Sequence, residues 1–321
     1  MILAAIVLAA ALSFALNAVA VRGGLITAPL DLPNERSLHT RPVPRAGGIG
    51  VLAGLCAALL VADGFSLVVG LAVALAALSL VDDWGHLPAL VRLSGHLGAA
   101  AVFCLFTLDY APLPQILLIV AVGWMTNLYN FMDGADGLAG GMAVAGFGTF
   151  ALAAAMAGDS DLAAVCACIA SAALGFLWFN RHPARIFLGD VGSIPLGFLA
   201  AALGVLGEHR GAWPWWFAPV VFAPFVVDAS VTLLRRLARG EKVWLAHRSH
   251  YYQRLVLLGW GHRRTAFAEY ALMGACGAVA LLALGRSPAL QALLLALPAL
   301  LLAAAMVAVD RAWSRSRHPG A

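Results

Sequence analysis

The run Asn127-Leu-Tyr-Asn130-Phe-Met-Asp133-Gly-Ala-Asp136-Gly-Leu-Ala-Gly-Gly141 places two amides and two carboxylates three residues apart, beyond an apolar run from Leu113 to Met125. Ionisable groups at the end of a membrane-length apolar stretch are costly to keep there and are usually functional. Spacing of three sets Asn127, Asn130 and Asp133 on one helical face. Gly134 and Gly137 let the backbone turn and approach a ligand closely. Such a cluster holds a cation and a phosphate together. The plainer alternative is a helix end capped by Asp and Asn.

Four other segments carry residues of the same kind. Asp82-Asp83 closes an apolar run. Adjacent acids repel unless a cation or base compensates them, and such pairs bind Mg²⁺ or take a proton; a solvated helix end is the bland reading. In Asn180–Ser193, Asp190 stands between Gly189 and Gly192, with Ser193 as the expected N-cap of the next helix and Pro195 in its first turn. Asp190 is placed to coordinate a cation. The segment Arg41-Pro-Val-Pro-Arg45-Ala-Gly-Gly48 is held extended by its prolines, and its glycines open a helix whose N-terminus suits a phosphate. By itself this loop reads first as a basic membrane anchor. The most basic segment, 235–264, contains His247-Arg248-Ser249-His250. Its histidines share a face if the segment is helical. Phosphate contact fits them better than zinc, because the acids elsewhere are hard donors and no thiolate is near. Trp244, Tyr251 and Tyr252 are expected at headgroup level. Asp228 lies alone inside an apolar run, where Arg235 or Arg236 is the expected partner. Glu269 and Asp310 read as ordinary interfacial acids.

The elements that must position these residues are membrane spans. The chain of 321 residues is 62% hydrophobic and 11% charged, more apolar than a soluble domain. Eleven apolar runs are long enough to cross a bilayer, near 2–21, 47–62, 66–81, 91–107, 113–130, 138–157, 161–179, 194–208, 214–234, 265–285 and 288–308. We expect one all-α polytopic domain over 1–321, with the first run a span and not a removed signal peptide. Outer connections fall near Asp63–Phe65, 108–112, 158–160, 207–213 and 286–287. The five cysteines lie within apolar runs and read as packing. With eleven spans, 18 of the 20 Lys and Arg residues fall on one side and only Arg210 and Arg286 on the other. The positive-inside rule makes the first side cytoplasmic, with the N-terminus outside and the C-terminus inside. The net charge of +4 then reflects topology and no affinity for nucleic acid.

On that assignment Asp82, Asp83, Asn130, Asp133, Asp136, Asp190, His247 and His250 all reach the cytoplasmic face. Acids for a metal and bases for phosphate together suit phosphoryl transfer, which depends on positioning and charge neutralisation. A site at the membrane mouth suits joining a water-soluble phosphorylated donor to a lipid phosphate. An ion-coupled transporter, the alternative of another class, calls for acids at span centres and inverted repeats. Only Asp228 answers that description.

Five motifs in order, Pro42–Gly48, Asp82-Asp83, Asn127–Leu138, Phe187–Ser193 and His247–His250, make the chain resemble the polyprenyl-phosphate N-acetylhexosamine-1-phosphate transferases. That superfamily also contains phospho-N-acetylmuramoyl-pentapeptide-transferase. The resemblance runs from about Pro33 to Arg264. It implies a many-helix bacterial inner-membrane fold with a cytoplasmic cleft. It implies Mg²⁺-dependent attack of polyprenyl (undecaprenyl) phosphate on the β-phosphorus of a UDP-N-acetyl sugar, releasing UMP; Mn²⁺ is the expected substitute ion. Carried onto this sequence, it marks Asp82, Asp83, Asp133 and Asp136 as catalytic, and Asp190 and Asn130 as metal ligands. Asn127, Asn130, Arg41, Arg45, His247, Arg248 and His250 are the corresponding substrate ligands. A homodimer is a further expected partner. The last loop lacks the denser histidine cluster of the pentapeptide-transferase branch, so the chain looks more like the branch that starts O-antigen or other surface polysaccharides. A polytopic prenyltransferase fits poorly, because its Asp-x-x-x-Asp arrays are missing.

Overall fold

The structure, a computed structural model, describes all residues except 24–29, 34–36, 63, 65, 86, 244, 246 and 318–321. The expected connection through Asp63 and Phe65 and the placement of Trp244 lie outside the described residues. The chain is helical nearly throughout: α1 Ile2–Val21, α2 Gly47–Val61, α3 Leu67–Gly85, α4 Ala89–Thr107, α5 Pro112–Phe131, α6 Leu138–Met156, α7 Ser160–Asn180 and α8 Asp190–His209. Then follow α9 Phe217–Val221, α10 Ala223–Ala238, α11 Tyr251–Leu255, a π turn Val256–Trp260, α12 Gly261–Ala283 and α13 Pro288–Arg317.

Among the described residues, eight helices are long and apolar enough to cross a membrane: α1, α4, α5, α6, α7, α8, the α11–α12 unit and α13. The chain is therefore an all-α polytopic membrane protein, while the expected count of eleven spans is not established. Two departures have local causes. The ninth apolar run is not one helix: it breaks at Phe222 between α9 and α10. Pro224, in the first turn of α10, has no N–H to continue a ladder from α9. The run around 265–285 begins its helix at Gly261, and Gly259, at φ 92°, separates that helix from the short α11.

Apolar helices in apolar lipid gain little from hydrophobicity, so close packing must hold them. Alpha-1 lies between α2 and α7. A methyl group at Gly54 or Gly175 would come within 2.5 Å of the α1 carbonyls of Ala9 or Ala10. The most enclosed helix is α8, which packs against α5, α3 and α2. Its first turn carries Asp190, so the candidate site stands on the most deeply packed of the spanning helices.

Candidate active site

Backbone pairing brings the first and fourth loops together. Strands β1 (Leu30–Asp31) and β2 (Val43–Pro44) form a short antiparallel ladder. The carbonyl of Pro44 then accepts from Phe187 N at 2.8 Å. Gly47 N and Gly48 N donate to the carbonyls of Phe187 and Leu188, each at 2.9 Å. Helices α2 and α8 touch here, because a Cβ on Gly48 would sit 2.3 Å from Gly192 N. This stitching sets Arg45 Nη2 2.9 Å from Asp190 Oδ1.

Gly189, at φ 70° and ψ 169°, turns the chain so that α8 starts at Asp190. Ser193 is therefore not the N-cap, and Pro195 is the sixth helical residue. The reason is that Gly189 supplies the left-handed backbone at which the helix starts. The Ser193 hydroxyl lies 2.9 Å from Asn130 Oδ1 and 3.1 Å from the Gly189 carbonyl. It thereby ties α8 to the end of α5.

Helix α5 ends at Phe131, so Asp133 stands past it and not on the face shared by Asn127 and Asn130. Its amide donates to the Asn130 carbonyl at 3.1 Å. Desolvation, followed by the charge of Asp190, holds the Asp133 carboxyl well above the usual carboxylate range. Burial works to lower the pKa of Arg45, yet Asp190, Asp31, Asp83 and Asp133 together keep it above the ordinary arginine value. One guanidinium faces several acids. A hard divalent ion would offset that excess, and the carboxylates of Asp133 and Asp190 with the amide oxygen of Asn130 are the donors such an ion takes.

Asp136 is held differently. Its Oδ2 accepts from His182 Nδ1 at 2.7 Å and from Ala184 N at 3.1 Å. Its amide donates to His262 Nδ1 at 3.1 Å, while His262 Nε2 donates to the Leu38 carbonyl at 2.9 Å. The ligand atoms of Asp136, His182 and His262 lie within 4.8 Å of one another. Both His262 nitrogens are nevertheless engaged, so the trio reads as a hydrogen-bonded lock and not as a metal centre. Asn180 adds to it: Oδ1 accepts from Gly137 N at 3.0 Å and Nδ2 donates to the Ile186 carbonyl at 2.9 Å.

The last basic loop is not helical at 247–250. The two histidines still meet, with ring centroids 4.8 Å apart. Asp228 arranges this. Its carboxylate accepts from Tyr251 N at 2.9 Å and Tyr252 N at 3.0 Å, and His250 Nδ1 is 3.3 Å away. The expected partners of Asp228 are thus corrected. Arg235 pairs with Asp310 and Arg236 with Glu241, because the free amides at the start of α11 come closer to Asp228. Asp310 is also no ordinary interfacial acid, since it holds Arg235, Arg254 and the Tyr251 hydroxyl. Ser249 directs both its amide and its hydroxyl at His247 Nδ1, at 3.3 and 2.8 Å. That leaves Nε2–H as the donor of a neutral imidazole. Burial, then His250 and Arg236, pushes its pKa down to about 4.

Of the residues expected from sequence, Arg45, Asn130, Asp133, Asp136, Asp190 and His247 line one cleft of about 360 Å³. Asp82, Asp83, Asn127, Arg41, Arg248 and His250 are not on its wall. Asp82 accepts from Leu87 N at 2.7 Å and pairs with Arg92 at 3.0 Å. Asn127 is bonded to His96 at 3.0 Å. His39, Asn180, Phe187, Gln253 and His262 also line the cleft; Asn180 and Phe187 lie in segments singled out from the sequence, but none of the five is among the site residues expected from it. The buried Nε2 of His39 has no hydrogen-bond partner among the described residues and lies 3.9 Å from Asp31. The signal available was position: His39 stands in the loop that supplies Arg45, and His262 in the basic run that follows His250.

Residues 65–208 match the family described as glycosyl transferase family 4. The chain is 30% identical over 293 residues to the decaprenyl-phosphate N-acetylglucosaminephosphotransferase of Mycobacterium leprae, covering 75% of this chain and 73% of the relative. A probable undecaprenyl-phosphate N-acetylglucosaminyl 1-phosphate transferase of Bacillus subtilis is 28% identical over 265 residues, covering 76% and 74%. The phospho-N-acetylmuramoyl-pentapeptide-transferase of Symbiobacterium thermophilum is 37% identical over 154 residues but covers only 46% and 44%.

Proposed function

The chain belongs to glycosyl transferase family 4, and from that premise we propose that it transfers N-acetylglucosamine 1-phosphate from UDP-N-acetylglucosamine to polyprenyl phosphate. An oxygen of the lipid phosphate forms a bond to the β-phosphorus. The bond from that phosphorus to the bridging oxygen breaks, and UMP leaves. The product is a polyprenyl-diphospho-sugar of the kind that initiates cell-envelope polysaccharides, O-antigen among them. The observation that carries this reading is the cleft where Arg45, Asn130, Asp133 and Asp190 converge at the N-terminus of α8.

Asp133, Asp190 and Asn130 would hold Mg²⁺, with Mn²⁺ as substitute, and the ion would neutralise the diphosphate charge. The free amides of the α8 N-terminus favour a phosphate next to them. His247 presents a neutral N–H donor. We assign the lipid phosphate to the side of the cleft nearest the end of α3. Asp82 is held by Arg92 and the Leu87 amide, and the charge of Asp83 acts on Arg45; we assign the proton role there to this pair of acids. The lock on Asp136 fixes the 134–137 turn against which a nucleotide can lie. The site faces the cytoplasm, with the N-terminus outside. The expected homodimer has no observation behind it.

The decisive assay is UMP release by the purified protein. It should require polyprenyl phosphate, a divalent cation and UDP-N-acetylglucosamine together. Release that ignores the lipid would sink the reading. Preference for UDP-N-acetylmuramoyl-pentapeptide would move the chain to the pentapeptide-transferase branch, which the shorter coverage of that relative disfavours.

A further inference from the structure

We propose that a second cavity, between the last turn of α7 and the first turns of α12, binds the phosphate headgroup of an anionic membrane phospholipid. The cavity has a volume of about 680 Å³, and Arg181, Arg185 and Arg263 stand on its wall. Arg45, Arg92, Arg235, Arg236 and Arg254 each pair with a carboxylate. Arg181, Arg185 and Arg263 have no such partner among the described residues. Their guanidinium groups lie instead over aromatic rings: Arg181 over Trp178 at 4.0 Å, Arg185 over Phe179 at 4.9 Å and Arg263 over Phe267 at 6.0 Å. Stacking leaves the guanidinium N–H edges free for phosphate oxygens. The one acid on the wall among the described residues, Asp136, is already satisfied by His182 and the Ala184 amide.

Below the charges the wall is apolar and open. Trp178 is 50% exposed and Phe267 62% exposed, on helices long enough to span. An anionic head above and an acyl chain below complete this surface, as basic pockets between spanning helices do for charged lipids. The occupant is not the acceptor lipid of the proposed reaction. Asp133, Asp190 and Arg45 do not line this cavity, which opens on the other side of Asp136. It does reach the same motif. The Tyr270 hydroxyl donates to the Gly137 carbonyl at 2.7 Å, and a Cβ on Gly141 would meet the Tyr270 ring at 2.0 Å. A headgroup held against Tyr270 and His182 therefore braces the 134–137 turn from outside.

The site stands independently of the transfer reaction and is tested by binding. The full chain in a neutral detergent is titrated with phosphatidylglycerol or with phosphatidylcholine of the same acyl chains, and thermal unfolding is followed. Phosphatidylglycerol should raise Tm and phosphatidylcholine should not. The variant Arg181→Gln/Arg185→Gln/Arg263→Gln should lose the shift, while Arg311→Gln/Arg315→Gln keeps it. Should the triple variant not fold, lipid retention by Arg263→Glu in native mass spectrometry replaces it, with loss of bound phosphatidylglycerol expected. Equal shifts from both lipids, or a full shift in the triple variant, overturn the proposal. So does a full shift from sn-glycerol 3-phosphate alone, which makes this a free-phosphate site. Displacement of phosphatidylglycerol by polyprenyl phosphate also overturns it, since the cavity would then be the acceptor site.

Discussion

Asp190 and Arg45 come from residues 145 apart in the chain and meet at 2.9 Å. The type of each residue was readable: an acid between glycines and a base before a helix. Their pairing was not, because it depends on the backbone bonds between 44–48 and 187–188. The same holds for Asp228, whose partners are backbone amides that any sequence would supply. Replacing Asp190 by Asn keeps size but removes the charge a hard cation prefers. Turnover should fall by about a hundredfold or more, which corresponds to roughly 2.7 kcal/mol of transition-state stabilisation. Tm should barely move, since the Arg45–Asp190 pair is partly solvated. Near-normal turnover at limiting Mg²⁺ would reduce Asp190 to a turn residue. His247 gives a second test. Its pKa falls from 6.5 to about 4 in the fold, so between those values the unfolded chain binds the extra proton. Stability should then drop as pH is lowered from about 7 toward 4. His247→Gln should flatten that slope of Tm against pH, and an unchanged slope would show that the imidazole is not held neutral.

At the scale of elements, hydropathy marked the helical runs well and their ends poorly. Helix α8 begins four residues before the expected run at 194, because Gly189 can adopt a positive φ. The ninth run breaks at Phe222, where Pro224 marks the stop but hydropathy does not change. Contact between elements was the least legible. Glycines at 47, 48 and 192 read as helix openers and turn residues, yet two of them let α2 and α8 touch. Gly48→Ala places a Cβ 2.3 Å from Gly192 N, and a backbone atom cannot swing aside. Overpacking of this kind costs about 1–3 kcal/mol. The variant should therefore unfold at lower temperature and lose activity as Arg45 and Asp190 part. Gly98→Ala, where nothing lies within 4 Å of the added carbon, is the control and should change neither.

Across the whole molecule, side assignment rested on Lys and Arg counts alone, and labelling can check it. A cysteine at Ser160 should react with an impermeant reagent from the periplasmic side, and one at Ser249 only from the cytoplasmic side. Labelling of both from one side would mean that the alternation of spans is wrong. Connections between distant parts of the chain were invisible to such counting. Asp310, on α13, fastens Arg235, Arg254 and Tyr251, and Tyr251 begins the short helix seated on Asp228. This clasp sets a schedule for biosynthesis. A ribosome delivers α13 after α1 to α12, so those helices can be in the bilayer while the His247 loop still lacks its fastening. Until α13 joins the bundle, Arg235, Arg254 and the Tyr251 hydroxyl stand without the acid that gathers them.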